Sequence, residues 1–316
     1  MEAQRFPNDY DGILAGAPAN FWTHLLTEAL WNAQATTNDP ASYIPSSKLP
    51  AIAAAVNEAC DAQDGVKDGI LNDPRQCRFD PAVLLCNNGN SDQCLTTPQA
   101  VALKKLYEGA RDADGQIYPG FLPGGELGEQ GWSSWITGHS PGQAALFGFT
   151  NGFFADMVYG KADWNYKTAD LSEAVRAADT TQAGNLNSVD PNLEPFRSHR
   201  GKLILYHGWN DPAISALNSI NYYQSVVKQM GREDSEGFLR LYMVPGMQHC
   251  VGGPGATSFG LNVASQTYDP EHNIRTALEQ WVEKGIAPST IIATKYSAAD
   301  AVNMTRPLCP YPQSAK

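Results

Sequence analysis

The sequence predicts an α/β domain interrupted by a large insertion, and three observations carry the prediction. After residue 195, strands and helices alternate with short connections, the pattern of a parallel sheet with covering helices. Near the front, residues 11–19 (Asp-Gly-Ile-Leu-Ala-Gly-Ala-Pro-Ala) hold a short continuous apolar run flanked by Gly and Pro, as a buried parallel strand requires. Between about residues 20 and 192 the texture changes to helical patches separated by long loops rich in Gly, Pro and Asp. Residues 1–20 and 193–316 are therefore assigned to the α/β core, and 21–192 to the insertion.

Within the insertion, helical patches are expected over 50–57, 98–109 and 142–159. The same region holds Trp22, Trp31, Trp132, Trp135 and Trp164, five of the seven tryptophans. Beyond it, 201–208 (Gly-Lys-Leu-Ile-Leu-Tyr-His-Gly) reads as a strand ending in a turn. An amphipathic helix over 218–230 follows, stopped by Gly231. Residues 238–244 form a second strand, and 272–284 a second helix stopped by Gly285. No internal repeat or low-complexity tract is present.

Composition narrows the function classes. Of 316 residues, 42% are apolar and 17% charged, so a sizeable core is available and a disordered class is excluded. The formal net charge of −11 arises from 22 Lys+Arg against 33 Asp+Glu, without a basic run, which argues against nucleic acid as a partner. No apolar stretch approaches the roughly 20 residues of a membrane-spanning helix; the longest mixed run, 144–159, is broken by Asn151, Gly152 and Asp156. Four of the six cysteines, Cys60, Cys77, Cys86 and Cys94, crowd into one polar segment, which points to disulfides and an oxidising compartment. Three pairings of the four are open, and no histidine accompanies them to make a zinc site. The opening Met-Glu-Ala-Gln-Arg-Phe-Pro has no apolar signal region, so the expectation is of an exported protein whose front lies upstream.

In open α/β sheets the working residues sit on loops after the strands' C-terminal ends. The strand over 201–208 runs into His207-Gly-Trp-Asn-Asp211-Pro, and the strand over 238–244 into Val244-Pro-Gly-Met-Gln-His249-Cys. An Asp and a His on neighbouring strand ends can hydrogen-bond, the Asp fixing the imidazole's tautomer and the His acting as general base towards a hydroxyl. Asp211 and His249 are thus the candidate back half of a Ser–Asp–His triad in α/β-hydrolase order. The plainer alternative makes Asp211 a cap for the following segment and His249 an ordinary loop residue. His207 and Asp190 fit the roles less well, and His207 is expected to pack at its strand end. Gly138-His139-Ser140-Pro141-Gly142 matches the nucleophile pattern G-x-S-x-G in letters alone, because no apolar strand precedes it and Pro141 and Gly142 follow at once. Asp61, Asp64 and Asp68, with Gly65 and Gly69 between, offer hard oxygens on a turning loop; Ca²⁺ and a surface loop of Asx-turns both fit that spacing.

Five stretches together resemble the tannase/feruloyl esterase family: residues 2–19, 60–70 (Cys-Asp-Ala-Gln-Asp-Gly-Val-Lys-Asp-Gly-Ile), 202–212, 244–255 (Val-Pro-Gly-Met-Gln-His-Cys-Val-Gly-Gly-Pro-Gly) and the tail 305–312. The resemblance spans essentially the whole chain. It implies an α/β-hydrolase fold, here partial, with the insertion 21–192 as a lid domain. It implies that Asp211 orients His249, that His249 is the base and later the acid, and that the substrate is a small aromatic ester such as a gallate or ferulate. The family serine sits in a Gly-Cys-Ser-x-Gly-Gly motif a few residues before the segment matched by 2–7. The expectation is therefore a chain truncated at both ends, inactive alone, with the serine, the oxyanion-hole donors and the early strands in a missing N-terminal portion of the same fold. The family partners of Cys250 and Cys309 would lie outside it too. The resemblance further implies a structural Ca²⁺ held by Asp61, Asp64 and Asp68 with the carbonyls of Val66 and Ile70, and disulfides Cys60–Cys77 and Cys86–Cys94. A closed loop of the first size stabilises by roughly 3 kcal/mol in the chain-entropy model. The implied location is secreted or extracellular, periplasmic in a bacterium. Two other readings remain beside the esterase: a catalytically inactive, calcium-stabilised binding module, and a hydrolase using Ser140.

Overall fold

The computed structural model describes residues 1–261 and 268–315. Its strands are β1 (Gly12–Gly16), the short hairpin pair β2 (Arg111–Asp112) and β3 (Gly115–Gln116), β4 (Lys202–Gly208), β5 (Leu239–Val244), β6 (Ile291–Tyr296) and β7 (Val302–Leu308). The central sheet has the order β1-β4-β5 and is parallel throughout, with Ile13 opposite Leu203 and Leu205 opposite Leu241. Such a sheet is covered on both faces, which is why β4 and β5 are largely apolar, β5 being broken only by the half-buried Arg240. Leu203, Leu205, Leu239 and Leu241 face the helix Ala216–Met230 and its Ile220, Tyr223 and Val226. Ile204, Tyr206, Tyr242 and Val244 face the helix Ile274–Lys284 with Leu278 and Trp281.

Local chemistry sets the ends of these helices. Asn273 accepts the N–H groups of Arg275 and Thr276 and so starts the second helix. Gly285, at φ +70°, ends it in the left-handed conformation that glycine adopts without penalty. The chain tail then lies along β5, where Tyr311 N–H donates to Leu241 O at 2.7 Å. The antiparallel pair β6–β7, which sequence analysis did not anticipate, packs Ile291, Ala293 and Leu308 into the cluster under the second helix.

Residues 21–192 build their own buried clusters. Helices Leu49–Cys60 and Thr97–Glu108 surround Ile52, Leu103, Leu106 and the fully buried Trp132. Helix Trp22–Thr37 is a second unanticipated element; ten of its sixteen residues are buried. Burial on nearly every side leaves no apolar stripe of period 3.6 to read from the letters. It is tied to the helix Leu171–Leu186 by Thr23 Oγ1 and His24 Nε2, which reach the two carboxylate oxygens of Asp179 at 2.6 and 3.0 Å. The patch read over 142–159 is the helix Ala145–Gly152 running into a wider turn over Phe153–Val158. Disulfides Cys60–Cys77 and Cys86–Cys94 form, the pairing the resemblance implied, while Cys250 and Cys309 are free thiols. Among the described residues no helix is long and apolar enough to cross a membrane.

Candidate active site

The two loops that follow β4 and β5 are laced together before their side chains meet. Trp209 N–H donates to Val244 O and Asn210 N–H to Met247 O, both at 3.0 Å. This brings Asp211 and His249, 38 positions apart, into contact: His249 Nδ1 lies 2.8 Å from Asp211 Oδ2. The other carboxylate oxygen, Oδ1, accepts the N–H groups of Ala213 and Ile214 at 2.8 and 3.0 Å. Asp211 therefore caps the following segment and holds the imidazole at once, each with a different oxygen.

His207 supplies a further contact that sequence analysis missed. It is fully buried, and its Nε2 lies 3.2 Å from Asp211 Oδ2 and 3.0 Å from Ile214 O. Two acceptors at one nitrogen place the proton there, leaving Nδ1 to accept the Ser219 hydroxyl at 2.7 Å. The readable signal was the spacing of four between His207 and Asp211 across the strand-end turn. Burial by itself raises a carboxyl pKa, but the hydrogen bonds from His207 and His249 outweigh it and hold Asp211 at about 2. Burial opposes charge on His249 too, yet the bond to Asp211 and its negative charge keep that imidazole above its ordinary value. Burial, then the Asp211 charge, pushes the neighbouring Cys250 thiol up.

With Nδ1 committed to the carboxylate, Nε2 of His249 is the free basic nitrogen; among the described residues it makes no hydrogen bond. His249 borders a cavity of about 270 Å³ walled by Trp22, Leu26, Trp135, Leu146 and Ile214. The Trp135 ring meets the imidazole edge-on at 5.1 Å between centroids. A base facing an apolar chamber suits proton transfer in a site from which water is displaced.

The other candidates are placed elsewhere. Ser140 lies on a turn where its carbonyl accepts Gln143 N–H, after the short helix Trp132–Trp135, so no strand enters it. Asp190 accepts Asn192 N–H from its own turn. In the acidic loop, Asp61 Oδ1 accepts Gly69 N–H, Asp64 Oδ1 accepts Val66 N–H and Asp68 Oδ1 accepts Ile70 N–H, all at 2.9–3.0 Å. Asp64 and Asp68 thus each form an Asx-turn, while Asp61 closes the loop from eight positions away. These bonds still leave one oxygen of each carboxylate, and the carbonyls of Val66 and Ile70 accept no hydrogen bond from a described residue. The donors are all hard oxygens, the type that Ca²⁺ takes, but their carboxylates do not form a converging group among the described residues, and Arg306 approaches Asp68 Oδ2 at 3.6 Å. Among the described residues, the three metal-capable side chains whose ligand atoms lie within 4.8 Å of one another are instead Asp269, Glu271 and His272, on the surface before the second helix.

Comparison with known proteins agrees with this architecture. A family model described as tannase and feruloyl esterase matches residues 1–316. An uncharacterised esterase of Xanthomonas campestris is 41% identical over 346 residues, covering 100% of this chain and 60% of the relative. A probable feruloyl esterase B-2 of Aspergillus terreus is 34% identical, covering 98% of this chain and 59% of its own length. The crystal structure of an esterase from Aspergillus oryzae superposes with a TM-score of 0.89 at 31% identity, over 99% of this chain and 62% of that one. The chain thus spans about three-fifths of the length of the relatives it matches. With a parallel α/β sheet, an inserted helical region and an Asp–His pair at its strand ends, the chain belongs to the tannase and feruloyl esterase family.

Proposed function

We propose that this chain carries the acid–base half of a serine carboxylic ester hydrolase acting on small aromatic esters of the gallate or ferulate kind. The observation that carries the reading is a fully buried carboxylate bonded to Nδ1 of an imidazole that borders an apolar, tryptophan-walled cavity. Asp211 fixes the tautomer of His249 and stabilises its charged form. His249 Nε2 takes the proton of the attacking hydroxyl and later returns it to the departing alcohol. The attacking group is a serine upstream of Met1 in the longer family architecture, not Ser140. Residues 21–192 act as the lid, and Trp22 and Trp135 offer faces on which an aromatic acyl ring packs. The names of the relatives, esterase and feruloyl esterase, support the ester class.

A structural Ca²⁺ on Asp61, Asp64, Asp68 and the carbonyls of Val66 and Ile70 belongs to the same reading; bound there, it would pin the loop that the Cys60–Cys77 disulfide brackets. Two disulfides support a secreted, oxidising location, the periplasm in a bacterium. The test has two parts. A serine-directed phosphonate is expected to leave Ser140 unmodified. In protein carrying the family's upstream segment, methyl ferulate hydrolysis is expected to vanish in His249→Ala and to fall on the order of 10⁴-fold in Asp211→Asn. A phosphonate adduct on Ser140, or hydrolysis that survives His249→Ala, would refute the reading.

A further inference from the structure

Asn210 precedes Asp211, Gln248 precedes His249, and both buried side chains grip the same segment of the lid. Asn210 Nδ2 donates to Gly124 O. Gln248 Nε2 donates to Leu127 O at 2.5 Å and Gly125 O at 3.4 Å. The segment 123–128 reads Pro-Gly-Gly-Glu-Leu-Gly, and its glycines are required by the closeness of the approach. A Cβ at Gly125 would stand 2.5 Å from Asn210 O, and one at Gly128 2.8 Å from Gln248 Oε1.

The one acidic side chain of this segment turns inward. Glu126 is 1% exposed. Both its oxygens accept Gly124 N–H at 3.0 Å, and Oε1 also accepts the Tyr107 hydroxyl at 2.7 Å. A buried carboxyl group is costly unless its bonds do something an apolar residue could not. Here they fold the loop back on itself, so that Gly124 O, Gly125 O and Leu127 O point at the two core loops. Burial pushes the Glu126 carboxyl up, against these bonds.

We propose that Glu126 is a positioning residue: it shapes lid segment 123–128 into a clasp that grips Asn210 and Gln248 and so holds Asp211 and His249 at bonding distance. This deepens the dyad reading above and rests on it. The direct lacing of the core loops ends at Met247, two residues short of His249, so the Gln248 grip is what carries the register onward to the imidazole.

The test is NMR of ¹⁵N-histidine-labelled protein, reading the His249 Nδ1–H resonance and the His249 titration midpoint. In a Glu126→Ala variant that near-ultraviolet circular dichroism finds folded, the resonance is expected to be lost to exchange and the midpoint to fall by roughly one pH unit. Glu126→Gln, which keeps an acceptor for Gly124 and Tyr107, is expected to restore both signals, whereas Glu126→Met, which fills the same space without an acceptor, is not; native signals in a folded Glu126→Met overturn the proposal as well. A folded Glu126→Ala with the native resonance and midpoint overturns the proposal. Should that variant not fold, Gln248→Ala cuts the clasp from the core side, and unchanged signals there overturn it equally. Asp211→Asn separates the two levels. An unmoved His249 midpoint in Asp211→Asn means that the dyad reading itself has failed. A moved midpoint there, with both clasp variants silent, means that only the clasp has failed.

Discussion

Replacing Asp211 with Asn changes how stability depends on pH, and the size of the change follows from the geometry. The native carboxyl is held at about 2 against an ordinary value of 3.8. At about 1.4 kcal/mol per pH unit, ionised Asp211 contributes about 2 kcal/mol to folding. The sign is that of a depressed acid: the contribution is fully present above pH 3.8 and is lost as pH falls through about 2. Asn keeps an oxygen for the N–H groups of Ala213 and Ile214 but turns an amide NH₂ towards His207 Nε2 and His249 Nδ1. His207 is sealed at 0% exposure and cannot turn to water for a new partner, so the variant also carries a pH-independent cost. Urea unfolding of native protein and Asp211→Asn, followed from pH 6 to pH 2, is the assay. The stability gap is expected to narrow by about 2 kcal/mol between about pH 4 and pH 2, below the range in which the altered titration of His249 contributes, while the other carboxyl groups titrate in both proteins and cancel. A gap that stays constant across that range would show that Asp211 is not an ionised partner of the two imidazoles, and the dyad argument would fall.

Two further outcomes are expected. Glu28 is buried in helix Trp22–Thr37, with Oε2 bonded to Ala110 N–H and Oε1 unpaired, and burial pushes it up to about 8. A raised acid stabilises below its ordinary 4.5 and loses that contribution as pH rises through about 8, so Glu28→Gln should be more stable than native protein by on the order of 3 kcal/mol at pH 7, read from urea midpoints; equal midpoints at pH 5 and pH 8 would contradict this. Calcium at a hundredfold excess over its Kd should raise unfolding free energy by about 2.7 kcal/mol, an effect absent in Asp61→Ala and reversed by chelator; a thermal scan indifferent to calcium would remove the metal site.

The amino-acid sequence determined the parallel sheet and the order of the two loops that carry the candidate residues, because those signals are local. Apolar runs such as Leu203–Leu205 and Leu241–Val244 can be satisfied only between two covered faces, and Gly231 and Gly285, both at positive φ, mark helix ends. The candidate residues Asp211 and His249 were legible for the same reason, each standing just past a recognisable strand. Other elements left no such mark. Helix Trp22–Thr37 is buried nearly all round and so lacks a stripe, and Pro307 disguises β7, where it sits opposite Ile292 in the ladder. The contact between Asp211 and His249, the second bond from His207, and the grip of Gly124–Leu127 on Asn210 and Gln248 were settled only in three dimensions. Apart from the His207 bond, which spans four positions, they join residues 38 to 123 positions apart, and no local preference encodes which donor will meet which acceptor once the helices, the sheet and residues 21–192 have packed.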